Sequence, residues 1–250
     1  MLSEMRWKEI VDMVNDKKSV SVLELSMFLN ASESTIRRDL TILDQKGLVN
    51  KVHGGATTIE SGFAQIDDEI SIREQLFQEE KKRIAKYAAS LIAPGDFIFL
   101  DAGTTTGHVI DYLEHKDTIF VTNAVSHAQK LAAAGFKVHI LGGEMKSSTD
   151  AIVGAETVKA LERFHFTKCF MGTNAASPSR GFSTPELNEA LVKEKAILMS
   201  RECFILCDAS KFSKISPVRF CPFKDAVVLT TSLQDKKLRQ YTNIVEVMSK

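Results

Sequence analysis

The chain has no excess of either charge: 32 Lys and Arg stand against 32 Asp and Glu over 250 residues. A uniformly basic surface is thereby excluded, so any polyanion site needs basic residues segregated onto one face. Cysteine is sparse. Cys169, Cys203, Cys207 and Cys221 form no C-x-x-C pair, which excludes zinc-finger spacing, and no metal or cofactor is expected. The four read as reduced, mostly buried thiols. No apolar run approaches the ~20 residues that span a bilayer, and the N-terminus lacks the apolar stretch of a signal peptide. A cytoplasmic protein without a membrane partner is expected. What is present is 44% hydrophobic residues, enough for a sizeable core, in a length that fits two domains.

Residues 32–56, SESTIRRDLTILDQKGLVNKVHGGA, are the most informative stretch. Ser32 is placed to cap a helix. Ile36, Leu40 and Leu43 then make one buried stripe. Ser34, Arg37, Arg38 and Thr41 fall on another face, which is cationic and rich in hydroxyls. Such a face suits a helix that enters the DNA major groove, with Arg to guanine edges or phosphates and small hydroxyls to phosphates. Ser32 and Thr35 lie at its N-terminal end. Gly47 is expected to stop the helix as its C′ residue. Leu48, Val49 and Val52 read as strand, with Lys51 and His53 beside them, and Gly54-Gly55 would let a wing backbone approach a phosphate. Upstream, Trp7, Ile10, Val11 and Val14 make a helical stripe. Ser21 and Glu24 form an S-x-x-E capping box ahead of Val22, Leu25 and Leu29. Three helices and a wing fit residues 1–56. The same residues also fit a plain three-helix domain with solvated arginines, since residues 1–56 hold eight basic and eight acidic side chains.

The run TIRRDL followed by L-x-x-x-G-L-V-x-K-V-H-G-G-A resembles the DNA-binding signature of the DeoR family of bacterial transcriptional regulators. The resemblance implies a repressor of sugar or nucleoside catabolism with a C-terminal effector domain. It puts Arg37 and Arg38 at the family's paired arginines, and Lys51, His53, Gly54 and Gly55 at its wing.

Residues 57–75 are polar, acidic and weakly periodic, and read as a linker. Residues 76–250 read as a second domain. Helices are expected near 77–92, 106–113, 125–134 and 186–200. Strands are expected at Phe97–Leu100, Ile119–Val121, Val138–Leu141, Lys168–Met171, Cys203–Cys207, Ala226–Leu229 and Ile244–Val247. Short apolar strands alternating with helices predict an α/β fold with a mainly parallel, Rossmann-like sheet covered on both faces.

In such sheets ligands sit beyond the carboxyl ends of the strands. Here those ends are small and polar: Asp101 to Thr106, Thr122-Asn123, Gly142-Gly143-Glu144, Gly172-Thr173-Asn174, and Asp208 to Lys211. Gly103, Thr104, Thr105 and Thr106 offer N–H groups, hydroxyls and a helix N-terminus to an anion. Asp101, Thr122 and Asn123 can bond sugar hydroxyls, and Lys211 can face a phosphate. Taken singly, each loop also reads as ordinary turn and cap residues.

The stretches LDAGTTT, VTNA, LGGE, GTNA and CDASKF resemble the DeoR-family sensor domain. That domain is similar in fold to ribose-5-phosphate isomerase and the CoA transferases. The resemblance implies a phosphosugar effector at positions such as Asp101, Gly103, Thr104, Thr105 and Lys211. Residues 181–197 resemble the helix that follows the family's pocket, with Glu186 where the family has Asp. Gly181-Phe182-x-Thr184-Pro185 is similar to the fructose-operon branch, which makes fructose 1-phosphate a candidate effector.

Two functions follow as expectations. One is a repressor, not an enzyme, that binds double-stranded operator DNA under control of a phosphorylated sugar, as a homodimer or homotetramer. The other is a sugar-phosphate isomerase or transferase with an accessory helix-turn-helix domain. An isomerase needs a carboxylate base, for which Glu144, Asp150 and Asp208 are available.

Overall fold

A computed structural model describes residues 3–46, 48–58, 74–212, 214–231, 233 and 235–247. Two compact units emerge. Described residues up to Thr58 fall in the first, and those from Gln78 onward in the second. Gly47 and most of the expected linker lie outside the described residues.

The first unit runs α1 (Ser3–Lys17), β1 (Ser19–Ser21), α2 (Val22–Leu29), α3 (Glu33–Gln45), β2 (Asn50–Val52) and β3 (Gly55–Thr57). Its core is the set of stripes expected from the sequence: Ile10 and Val14 of α1, Leu25 of α2, and Ile36, Leu40 and Leu43 of α3 are fully buried together. The capping box is formed, with Ser21 Oγ accepting from Glu24 N at 3.1 Å and Glu24 Oε2 accepting from Ser21 N at 2.8 Å. Helix α3 ends at Gln45 with Lys46 as its C-cap. Strand β2 begins at Asn50, so Leu48 and Val49 precede it. Leu48 N bonds Leu43 O at 2.9 Å and Val49 enters the core. Strands β1, β3 and β2 form an antiparallel sheet in that order.

The second unit is built on seven parallel strands. In chain order it contains α4 (Gln78–Ser90), β4 (Phe97–Leu100), α5 (Thr104–Val109), β5 (Ile119–Thr122), α6 (Val125–Ala133) and β6 (Lys137–Ile140). A hairpin of β7 (Glu144–Lys146) and β8 (Ala151–Val153) follows, then α7 (Ala155–Leu161) and β9 (Phe166–Gly172). Next come β10 (Ala175–Ser177), β11 (Gly181–Thr184), α8 (Leu187–Leu198), β12 (Ser200–Leu206), β13 (Val218–Cys221), β14 (Val227–Thr230) and β15 (Ile244–Glu246). The parallel sheet has the order β15-β14-β12-β9-β4-β5-β6. Strands β10, β11 and β13 form a small antiparallel sheet.

Alternation along the strands covers both faces, as expected for a buried parallel sheet. Ile98 and Leu100 of β4 join Phe120, Phe170, Phe204 and the apolar side of α4. Phe99 between them joins Val121, Met171, Ile205 and the inner side of α8. The chain steps outward from β4 to β5 and β6, then returns to place β9 on the other side of β4. The carboxyl ends of β4 and β9 therefore flank a topological switch point, where open α/β sheets bind ligands.

Candidate functional site

Helix α3 opens with Ser32, whose Oγ accepts from Thr35 N at 3.3 Å and lies 2.9 Å from both Ser34 Oγ and Thr35 Oγ1. Arg37 and Arg38 are exposed. Arg37 Nη2 pairs with Glu33 Oε2 at 3.0 Å across one helical turn, both side chains being at least half exposed. Thr41 Oγ1 donates to Arg37 O at 2.8 Å and accepts from Lys51 Nζ at 2.7 Å. Lys51 N donates to Asp44 Oδ1 at 2.8 Å. The hairpin of β2 and β3 is thus tied to α3, and Ser32, Ser34, Thr35, Arg37, Arg38, Thr41 and Lys51 come together around one helix. His53 and Gly54 sit exposed in the hairpin turn, where Gly54 takes φ +89°. Gly55 does something else: it is buried, and a Cβ there would collide with the Val20 carbonyl. Its glycine is explained by the close approach of β1 to β3.

One acid of α3, which the sequence reading passed over, is withdrawn from its polar face. Asp39 follows the arginine pair but points inward, accepting from Arg6 Nε at 2.5 Å and Trp7 Nε1 at 2.7 Å. The signal was available, because Asp39 falls inside the apolar stripe of Ile36, Leu40 and Leu43. A polar residue at such a position is buried with partners.

In the second unit the switch point is closed by charge. Asp101 follows β4, is 1% exposed, and its Oδ2 accepts from Gly172 N at 2.9 Å and from Lys193 Nζ. Lys193 comes from the inner side of α8, is 2% exposed, and also reaches Gly172 O at 3.3 Å. Asp101 Oδ1 is buried without a partner among the described residues. Gly103 caps α5, and Gly107 N makes a bond to Gly103 O at 2.9 Å. The N–H groups of Thr104, Thr105 and Thr106 therefore open the helix without an intrahelical acceptor.

Other residues expected to meet the effector are bonded within the fold. Thr106 Oγ1 donates to Asp101 O at 2.7 Å. Asn123 Oδ1 accepts from Ala102 N at 3.0 Å and its Nδ2 donates to Ile152 O at 3.2 Å. Thr122 Oγ1 accepts from Ala124 N at 3.1 Å. Gly142 O accepts from Thr157 Oγ1 at 2.9 Å, and a Cβ on Gly143 would collide with that hydroxyl. Thr122 and Asn123 are themselves fully buried, and the Asn123 amide holds the Asp101–Thr106 loop and the β8 strand in register.

The rim continues beyond β12. Asp208 is buried and accepts from Ser210 N at 3.0 Å and Ser210 Oγ at 2.5 Å. Burial pushes its carboxyl up, but the charges of Lys211 and Lys81 and the Ser210 hydroxyl outweigh that and hold it below the usual range. Lys211 is half-buried. Lys81 comes from α4, is buried, and was missed in the charged run EEKKR, where it reads as a surface lysine. Its charge also bears on His108 of α5, whose imidazole is held low chiefly by burial. Lys81 is thus near enough to both His108 and Asp208 for its charge to bear on each. With two strand spacings between them, the ends of β4 and β12 stand about 10 Å apart.

Behind the loop, His127 of α6 is 6% exposed and its Nδ1 has no partner among the described residues. A Cβ on Gly107 would come within 2.7 Å of His127 Nε2, so a glycine lets the two helices meet. Burial pushes the His127 pKa down to about 4. The four cysteines are free and buried, as read from the sequence. Among the described residues no cluster of His, Cys, Asp and Glu is arranged to hold a metal, and no helix is long and apolar enough to cross a membrane.

Residues 6–62 match the DeoR-like helix-turn-helix domain, and residues 76–233 match the DeoR C terminal sensor domain. The chain is 38% identical to the uncharacterized HTH-type transcriptional regulator FruR of Bacillus subtilis, over 96% of each chain. It is 35% identical to the lactose phosphotransferase system repressor of Staphylococcus epidermidis, over 98% of each. Ribose 5-phosphate isomerase from Plasmodium falciparum is similar over 54% of this chain and 52% of its own, at 15% identity and a TM-score of 0.40.

Proposed function

The chain belongs to the DeoR family, and we propose that it is a DNA-binding transcriptional repressor of a sugar-catabolic operon, controlled by a phosphorylated sugar bound in its second unit. The observation that carries this reading is the pairing of two sites in one chain. One is a capped helix with two exposed arginines and a lysine-bearing hairpin. The other is a strand-end rim with open helix N–H groups and the cations Lys81 and Lys211. The relatives named as a regulator and as a lactose phosphotransferase system repressor support it.

On this reading Arg37 and Arg38 meet bases or phosphates, and Ser32, Ser34, Thr35, Lys51, His53 and the Gly54 turn meet the backbone. In the second unit the Gly103–Thr106 N–H groups and Lys211 take the phosphate. Asp101 and the Gly172 end of β9 take the sugar. Thr122, Asn123, Gly142 and Gly143 shape the site from behind. A repressor of this design acts in the cytoplasm as a homodimer or homotetramer, because two reading helices must match a symmetric operator. A coupling of about 1–3 kcal/mol between the sites is enough for useful switching.

The isomerase alternative lacks a supporting observation. Asp208 is held by Ser210, and Asp150 Oδ2 accepts from Ser126 N at 2.8 Å at the start of α6. Glu144 lies exposed at the start of β7. The test is retention of operator DNA titrated with sugar phosphates, beginning with fructose 1-phosphate. A dose-dependent change in retention is expected. Indifference to every sugar phosphate would overturn the reading.

A further inference from the structure

Helix α8 turns five residues inward: Glu189, Ala190, Val192, Lys193 and Ala196. Two of the five are ionisable. Glu189 has a lysine partner, Lys146 at 3.2 Å, on the β7 hairpin. Lys193 reaches the switch point. A buried ion pair is a poor source of stability, since well-packed apolar residues commonly replace it without loss. Its position therefore calls for a reason other than stability.

The geometry around Lys193 is a closed ring. Gly172 N donates to Asp101 Oδ2 at 2.9 Å, Lys193 Nζ donates to the same oxygen, and Lys193 Nζ reaches Gly172 O at 3.3 Å. One ammonium group thus ties the ends of the two strands between which the sheet changes direction. The ring engages only one carboxylate oxygen. Asp101 Oδ1 is left buried and without a partner among the described residues, on a residue two positions before Gly103. A buried carboxylate oxygen with no donor is unfavourable until one arrives, and a sugar carries hydroxyl donors along its length.

We propose that Lys193 is a positioning residue of the effector site: it holds Asp101 with Oδ2 locked, so that Oδ1 accepts a hydroxyl of the phosphorylated sugar. This rests on the reading of the crevice as a phosphosugar site. It adds a polyol-recognising element, supplied from α8, to an anion-recognising loop.

The experiment uses the full chain and the thermal shift produced by fructose 1-phosphate, fructose 6-phosphate and ribose 5-phosphate. The sugar that shifts the wild type most is then titrated against Lys193→Met, Lys193→Arg, Asp101→Asn and the Lys193→Met, Asp101→Asn double variant. Lys193→Met is expected to weaken the sugar about ten-fold or more, with operator affinity unchanged in the absence of sugar. Lys193→Arg is expected to recover part of the loss, because it keeps the charge. The double variant is expected to bind no worse than the weaker single one, since both act on one contact. A purely structural role would lower the melting temperature of each variant and leave the sugar's apparent dissociation constant at the wild-type value. That result would overturn the proposal while the phosphosugar reading stands. If Lys193→Met does not fold, Lys193→Arg carries the same test: a misfit guanidinium is expected to weaken the sugar, and a wild-type dissociation constant in that variant would overturn the proposal. A wild type that responds to none of the sugars would overturn the phosphosugar reading and this inference with it.

Discussion

Arg6 Nε lies 2.5 Å from Asp39 Oδ2, and the pair joins α1 to the inner side of the helix that carries Arg37 and Arg38. The side chains are 15% and 5% exposed. Trp7, the chain's single tryptophan, donates to the other oxygen of Asp39 at 2.7 Å. One buried carboxylate therefore sets the rotation of α3 about its axis. It also turns Asp39, the acid next to the arginine pair, away from the face that carries Arg37 and Arg38. Removing one partner of such a pair leaves the other buried and uncompensated, which costs about 3–5 kcal/mol. Asp39→Ala is expected to lower the stability of the first unit by about that much. Trp7 emission followed through urea unfolding is the measurement, and an unchanged midpoint would show that the pair does not hold α3.

Arg37 and Arg38 are expected to carry operator recognition. Replacing an Arg that reads guanine costs roughly 1–3 kcal/mol and relaxes specificity at that base. Arg37 pairs with Glu33 in the free protein, but so exposed an i, i+4 pair is worth only about 0.3–0.5 kcal/mol. It gives way readily to a phosphate or a base. Gel-shift titration of the Arg37→Ala, Arg38→Ala variant checks this, with Trp7 emission confirming the fold. Wild-type operator affinity in the double variant would remove α3 from the interface.

The parts legible in the sequence were those with a period long enough to read. Ile36, Leu40 and Leu43, or Ile98 beside Phe99, declare their faces within a few residues. Strands β1, β7, β8 and β10 have three residues each and show no period, so they went unread. The polar strand ends were also visible. What each would bond was not, because the partners are remote: Lys193 meets Asp101 across 92 positions. Asn123 looked like a sugar ligand, but its amide joins Ala102 to Ile152. Which strand lies beside β4 is likewise set by packing of the whole sheet, and that placement of β9 creates the switch point.

Lys211 is expected to matter for effector response and not for DNA binding. Its backbone is held by the Asp208 turn, with Lys211 N bonded to Asp208 O at 3.1 Å. A solvated loop lysine changes stability by about ±0.5 kcal/mol when removed. A charge-assisted contact to phosphate is worth about 1.5–3 kcal/mol, or ten-fold and more in affinity. Lys211→Met should fold, hold its operator, and need far more sugar phosphate to respond. Superimposable titrations of operator retention for wild type and variant would move the phosphate away from β12.

Turnover is expected to be absent. Ribose 5-phosphate and the fructose phosphates, incubated with the purified chain, should return unchanged in a coupled isomerase assay. Isomerisation that disappears in Asp208→Asn or Glu144→Gln would assign an enzyme instead.

His127 should make the second unit sensitive to mild acid. Burial pushes its folded pKa down to about 4 from an ordinary 6.5. Between those values the unfolded chain binds a proton that the folded chain excludes. Unfolding is therefore favoured as pH falls through that window, and stability rises again with pH. The full effect is about 3 kcal/mol once pH drops below 4. Carboxylates held low in the fold, such as Asp208 and Asp96, act in the same direction. Their loss sets in as pH enters the ordinary carboxylate range, where the unfolded chain's carboxylates take up protons, so the upper part of the His127 window, above about pH 5, reports the imidazole. The measurement is the urea midpoint of the second unit, followed by far-ultraviolet circular dichroism from pH 7 to pH 4. Wild type should lose stability steadily over this range. His127→Gln, whatever its stability at pH 7, should show a flatter dependence there because no imidazole remains to titrate. Parallel profiles for the two proteins would show that His127 takes up its proton without unfolding, and that the packing of Gly107 against it is looser than the structure has it.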